Sequence, residues 1–253
     1  FLIYGALYVF LSLSSLFIQG TLGYSVVAAS VVGLPFGIIL SVGSTKVGGL
    51  AGRLGPRRFL VAGPLIMAGG MLWYARIPPT SAPWLADFAR PATLIPPTST
   101  LIDVLPTIIA FGIGITLVVA PLTSTLMSSI PVARAGLGSA INNAVSRVGQ
   151  PLIGALVFMA ITASFYTTVA AATGSKADDP SLRATVAPLN PPPQSASPAL
   201  VEAVKVASVD AFRLALLVSA GLLVVGAAAN GLGLRDRDTT GRPAEATGDT
   251  SSA

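Results

Sequence analysis

Apolar residues in this chain come in long runs, separated by short basic turns or by proline-rich stretches. The first run, FLIYGALYVFLSLSSLFIQG, fills residues 1–20, and others occupy about 26–46, 59–75, 104–127, 141–166 and 211–234. At 1.5 Å rise per residue, each covers most or all of a ~30 Å hydrocarbon layer. None alternates apolar and polar positions over ~10 residues, as a membrane-spanning β-strand does. The pattern therefore predicts six antiparallel transmembrane helices. Pro35, Pro64, Pro121 and Pro151 fall inside or at the edges of these runs, where neighbouring helices can re-satisfy the carbonyls they free. Gly63, Gly69, Gly112, Gly114, Gly149 and Gly154 read as close-packing positions.

The connections fall into two kinds. Residues 76–103 and 168–208 are long and proline-rich, and the second, with APLNPPPQSASP, is expected to be mobile. The short connections are basic. GGLAGRLGPRR, residues 48–58, together with Lys46 before it, places Lys46, Arg53, Arg57 and Arg58 between the second and third runs with no acid among them. Arg134 lies on the same side, and Arg235, Arg237 and Arg242 follow the last run. The long connections mix their bases with Asp87, Asp103, Asp178, Asp179 and Glu202. Short loops rich in Lys and Arg stay cytoplasmic. Both ends of the chain are thus expected inside, with the two proline-rich segments outside and residues 235–253 a disordered cytoplasmic tail.

Composition agrees. Of 253 residues, 53% are hydrophobic and 10% charged, against about 25% charged in a soluble domain; mean hydropathy is +0.78. The formal charge of +5 forms no long tract with interleaved aromatics, which sets nucleic acid aside. With no histidine and no cysteine, a Ser-His-Asp triad, the usual zinc sites and disulfides are excluded. No cofactor or metal is expected. Phe1 opens inside an apolar run, so the sequence reads as the later part of a longer protein.

GGLAGRLGPRR resembles the loop motif of the major facilitator superfamily, Gly-x-Leu-Ala-Asp-Arg-x-Gly-Arg-Lys/Arg, through Gly48, Leu50, Ala51, Arg53, Gly55 and Arg57. Gly52 stands where the motif has Asp and Pro56 where it has Arg; Arg58 follows. LGYSVVAASVVGLP (22–35) and PLTSTLMSSIPVARAGLGSAINNAVSRVGQPLIGALV (121–157) are similar to stretches in the C-terminal half of the fourteen-span drug:proton antiporter branch. The resemblance implies a six-helix C-terminal half of a plasma-membrane transporter. It would export drug-like amphipathic compounds against protons by alternating access, with a missing N-terminal half as partner. The alternatives are a non-transporting membrane scaffold and an intramembrane enzyme, the latter disfavoured by the absence of His, Cys and any mid-span acid pair.

The resemblance also nominates residues. Helices one and four line the central cavity in this superfamily, which points to Tyr4, Tyr8, Ser12, Ser15 and Gln19 on the first, with Thr107, Phe111 and Thr116 on the fourth. Fifth helices meet the other half, which places Asn142, Asn143 and Arg147 at that seam. Read from the residues alone, Asn142 and Asn143 suit helix caps, Arg147 an interfacial anchor, and Asp103 and Asp210 caps at outer helix ends. The arginines of residues 53–58 would set topology and bind lipid phosphate. In the family that loop helps latch the two halves.

Overall fold

The computed structural model describes residues 1–128 and 135–233. Arg134 and the tail with Arg235, Arg237 and Arg242 lie outside the described residues. The elements are helices α1 (Leu2–Leu16), α2 (Val26–Leu54), α3 (Pro56–Tyr74), α4 (Leu105–Ser128), α5 (Ala135–Thr173), α6 (Pro180–Thr185) and α7 (Pro198–Gly233). A π-turn extends α1 to Thr21, and another, Thr100–Val104, leads into α4. No strand occurs among the described residues. Among the described residues, five helical segments are long and apolar enough to cross a membrane: Leu2–Thr21, Val26–Leu54, Thr100–Leu122, Gly136–Thr173 and Pro198–Gly233. α3, with 19 residues, opens on Pro56, Arg57 and Arg58, which dilute its apolar character.

Close backbone approach, rather than large side chains, sets the helix crossings. A Cβ on Gly63 would meet the Gly114 carbonyl at 2.7 Å, and one on Gly114 would meet the Gly63 carbonyl at 2.6 Å. α3 and α4 therefore touch backbone to backbone, in antiparallel order. α1 and α5 cross in parallel, with Phe1 against Gly149 and Tyr8 against Gly154. Gly112 admits Phe36 and Ile39 of α2 against α4. Gly69, expected to share this role, faces open space. In lipid such small-residue contacts supply the association energy that the hydrophobic effect cannot.

The centre of the bundle is aromatic. Phe17 of the α1 π-turn stacks on Phe212 of α7 with centroids 3.9 Å apart, and Tyr74 of α3 packs edge-on to both. Phe10 stacks on Phe111 at 3.9 Å, joining α1 to α4. Each such pair contributes about 0.5–1.5 kcal/mol beyond the area it buries. α7 therefore packs on α1, α3 and α5, whereas α2 leans mainly on α4.

Three expectations change here. GGLAGRLGPRR is almost wholly helical, because α2 runs on to Leu54 and α3 begins at Pro56. The connection is the single residue Gly55 with φ 83°, a conformation only glycine adopts without strain. Pro56 starts α3 at no cost, since the first helical N–H has no partner in any case. Second, Asn142 and Asn143 are not caps: α5 begins at Ala135 and encloses them. Asp210 is likewise no helix-end cap, lying well inside α7 and paired with Arg213 at 3.1 Å. Third, much of 168–208 is not loose. α5 continues to Thr173 and α7 starts at Pro198, and the segment between them packs on the helix ends through Leu182, Val186 and Leu189, all buried.

That cap, at the end of the bundle away from Arg57 and Arg58, is extensively bonded. The Tyr166 hydroxyl donates to the Val186 carbonyl at 2.9 Å, and the Leu189 N–H donates to Ser208 Oγ at 3.2 Å. Leu189 is fully buried with φ 63° and sets its carbonyl against Gly20. Residues 76–104 are tied down too. Ser25 caps α2 by accepting from the Ala28 N–H and donates its own proton to the Ala86 carbonyl at 2.7 Å. Trp84, buried, donates its indole N–H to the Thr93 carbonyl at 2.8 Å.

Candidate functional site

The eight cavity candidates separate into two groups. Tyr4, Tyr8, Ser12, Ser15 and Gln19 follow one another at steps of three or four residues, so they share one stripe of α1. Tyr8, Ser15 and Gln19 are exposed and Tyr4 and Ser12 half-buried, while Ala6, Val9, Phe10 and Leu13 face the core. Gln19 donates its amide to Ser15 Oγ at 3.1 Å, one turn below. The Tyr8 ring lies over Gly154 of α5.

Thr107, Phe111 and Thr116 point the other way, into the bundle. Thr107 is fully buried and donates to the Gly70 carbonyl at 2.9 Å. Thr116 donates to the Gly112 carbonyl at 2.7 Å, in its own helix. Phe111 has no exposed surface and lies between Phe10 and Phe36. The structure does not bring these three together with the α1 stripe. It places them where they fix α4 against α3, α1 and α2.

Charge divides cleanly between the two ends. The contacts Phe1–Gly149, Ile3–Gly226 and Leu60–Asn230 put Lys46, Arg53, Arg57, Arg58 and Arg147 toward one end. Arg147 lies within about two helical turns of Arg57 along the bundle axis. Every acid among the described residues is at the other end, so none of these five bases forms an ion pair among the described residues. Of the motif residues, Ala51 is buried, Gly55 makes the turn, and Leu50, Arg53, Arg57 and Arg58 are exposed. Gly48 faces Ala120 of α4.

No family model matches the chain. Comparison with curated proteins gives three informative relatives. The MFS-type transporter EfpA of Mycobacterium tuberculosis is 28% identical over 147 residues, 58% of this chain and 25% of that protein. The puromycin resistance protein pur8 of Streptomyces alboniger is 30% identical over 137 residues, 54% of this chain and 24% of that protein. A triacylglyceride transporter of Mycolicibacterium smegmatis is 36% identical over 140 residues, 55% of this chain and 23% of that protein. This chain is a relative of the MFS-type transporters.

The chain spans about a quarter of the length of these curated relatives. Its described residues form an all-α, multi-pass membrane bundle, and the transport and resistance names of its relatives leave the intramembrane-enzyme reading without support. On this bundle the open stripe of α1 is flanked by α5, with α7 behind it. α2 and α5 present the largest unpartnered apolar surface, including Leu34, Ile38 and Val42 on α2 and Val148, Leu152 and Leu156 on α5. Asn142, Asn143 and Arg147 lie on α5 beside that surface, Asn143 and Arg147 exposed.

Sequence reasoning missed Arg213. Its guanidinium donates from Nε to the Ala75 carbonyl at 3.0 Å and from Nη2 to the Ile77 carbonyl at 2.9 Å, and pairs through Nη1 with Asp210 at 3.1 Å. A signal was present, since an arginine near the start of the last apolar run calls for a named partner. Leu189 was also missed, because no pattern marks a leucine for a left-handed backbone.

Proposed function

We propose that this chain is one six-helix half of a secondary active transporter that exports lipophilic or amphipathic compounds by alternating access, driven by protons. In this reading α1, α2, α3, α4, α5 and α7 are the six spans, and the arginine end is cytoplasmic because it carries bases without acids. The observation that carries the proposal is the Tyr4–Tyr8–Ser12–Ser15–Gln19 stripe, an aromatic and weakly polar face left open in a bundle related to MFS-type transporters.

Such a wall suits ligands with large apolar surface and few polar groups. It also suits the range of names among the relatives, from puromycin and multidrug resistance to triacylglyceride transport. The mid-bundle wall has no carboxylate among the described residues, so a proton-coupling acid belongs to the other half. That half docks on the exposed faces of α2 and α5, where Asn142, Asn143 and Arg147 meet it, and Thr107, Phe111 and Thr116 brace the wall from behind.

The test is efflux of a lipophilic cationic dye from vesicles holding the full-length transporter that contains this chain, with and without a proton gradient. Tyr8→Ala and Gln19→Ala should change dye efflux, and residues 1–253 alone should transport nothing. Efflux indifferent to the gradient and to both substitutions would overturn the proposal.

A further inference from the structure

On the exposed face of the α3–α7 pair, toward the arginine end, lies an elongated apolar groove of about 450 Å³. Arg57, Val61 and Leu65 line it from α3, and Val224, Ala228 and Gly231 from α7. Spacings of four residues on α3, and of four and three on α7, put each set on one face of its helix. Since Leu60 meets Asn230 while Tyr74 meets Phe212, the two helices run antiparallel, and their faces open along one continuous furrow. Ala228 and Gly231 keep the α7 side low, while Leu65 and Val224, both about half exposed, form the deeper end within the bundle.

Three features of this furrow point to one occupant. Its length from Arg57 to Leu65 is about 12 Å, close to the ~15 Å depth of a single leaflet's hydrocarbon. Its lining is otherwise apolar, which suits an acyl chain and offers a polar ligand nothing to bond. Among the described residues its only charged lining group is Arg57, at the mouth, in the same end of the bundle where Lys46, Arg53 and Arg58 also lack acids.

We infer that the α3–α7 furrow is a binding site for an anionic phospholipid of the leaflet at the arginine end, its phosphate on the Arg57 guanidinium and one acyl chain between Val61, Leu65, Val224 and Ala228. A guanidinium binds phosphate through two parallel N–H bonds, and a net negative headgroup is favoured over a zwitterion where nearby bases add to the field. The site lies on a different face from the α1 stripe and does not depend on transport.

The test uses the whole chain purified in detergent, with retention of phosphatidylglycerol and phosphatidylcholine followed by native mass spectrometry. Thermal unfolding without added lipid confirms that each variant folds. Arg57→Gln should lower phosphatidylglycerol retention about fivefold. Ala228→Trp, which fills the furrow at an exposed position and leaves the charge in place, should lower it as much. Arg53→Gln, outside the furrow, should change it less than about twofold. Equal losses from Arg53→Gln and Arg57→Gln would mean general surface attraction and would overturn the site. So would undiminished retention in Ala228→Trp, equal retention of the two lipids, or a dimer that Ala228→Trp dissolves and lipid does not affect.

Discussion

Arg213 on α7 and Ala75 at the end of α3 are joined by a 3.0 Å hydrogen bond from guanidinium to carbonyl. With Ile77 also accepting at 2.9 Å, one side chain satisfies the carbonyl of the α3 C-cap and another in the turn just beyond it. The positive charge also opposes the negative end of the α3 dipole. Arg213→Gln should therefore loosen the α3–α7 joint. Its side chain is about a third exposed, so the expected cost is about 1–2 kcal/mol rather than the full value of buried charged bonds. Arg213→Lys, which keeps the charge but not the fork, should fall between. Thermal unfolding in detergent checks the order.

Gly63 and Gly114 should tolerate no side chain. Each would drive a Cβ against the other's carbonyl at under 3 Å, and neither backbone can yield without parting α3 from α4. Gly63→Ala or Gly114→Ala should cost about 1–3 kcal/mol. Gly69→Ala, with open space at the same helix, should cost nothing and even gain slightly from helix propensity. Comparing the three unfolding midpoints separates crowding from a general intolerance of substitution.

The two groups of cavity candidates make opposite predictions. Tyr8→Ala and Gln19→Ala, on the open stripe, should leave stability within about 0.5 kcal/mol while altering substrate handling by the full-length transporter. Phe111→Ala, which removes a fully buried ring from between Phe10 and Phe36, should cost about 3–5 kcal/mol. A shift in substrate range from a folded Phe111 variant would move that residue into the wall.

The outer cap should respond to acid. Asp87 is held below the usual carboxylate range by the Ala89 N–H and by Arg90, and Asp179 by the Ser181 hydroxyl and N–H. A depressed folded pKa stabilises the fold above the unfolded value, and that contribution is lost as pH falls through the folded value. Both groups are partly exposed and their partners lie within a few residues, so the effect is local. The protection of the Ala89 and Ser181 amides against hydrogen exchange, measured relative to the intrinsic rate at each pH, should fall below about pH 4 and stay constant between about pH 6 and 8. In Asp87→Asn the Ala89 response should disappear.

Much of this fold is written in run lengths. The apolar stretches at 1–20 and 104–127 correspond to helices because a 30 Å slab allows little else. What the pattern could not supply were helix ends beyond the apolar runs. α5 extends past the run at 141–166 in both directions and α7 starts thirteen residues before 211, since a polar turn with good helix formers continues a helix already nucleated. The proline-rich segment 187–198 looked unstructured because its anchors, Leu189 and Val186, are ordinary apolar residues whose partners Ser208 and Tyr166 lie far along the chain. For the site, a period of 3.6 gathered the α1 candidates onto one stripe. The same period on α4 could not tell an inward face from an outward one, because every face of that helix is apolar.

The 39 residues of α5 make an unbroken rod of about 58 Å, nearly twice the hydrocarbon thickness. Its outer end is gripped by the cap through Tyr166, and its inner end reaches past Arg147. Packed on α1 and α7 along much of this length, the rod carries them with it: a tilt of α5 by about 10° would displace one tip by about 10 Å relative to the other. Events at the outer face thus have a mechanical route to the opposite surface that needs no change in the shape of any helix between them.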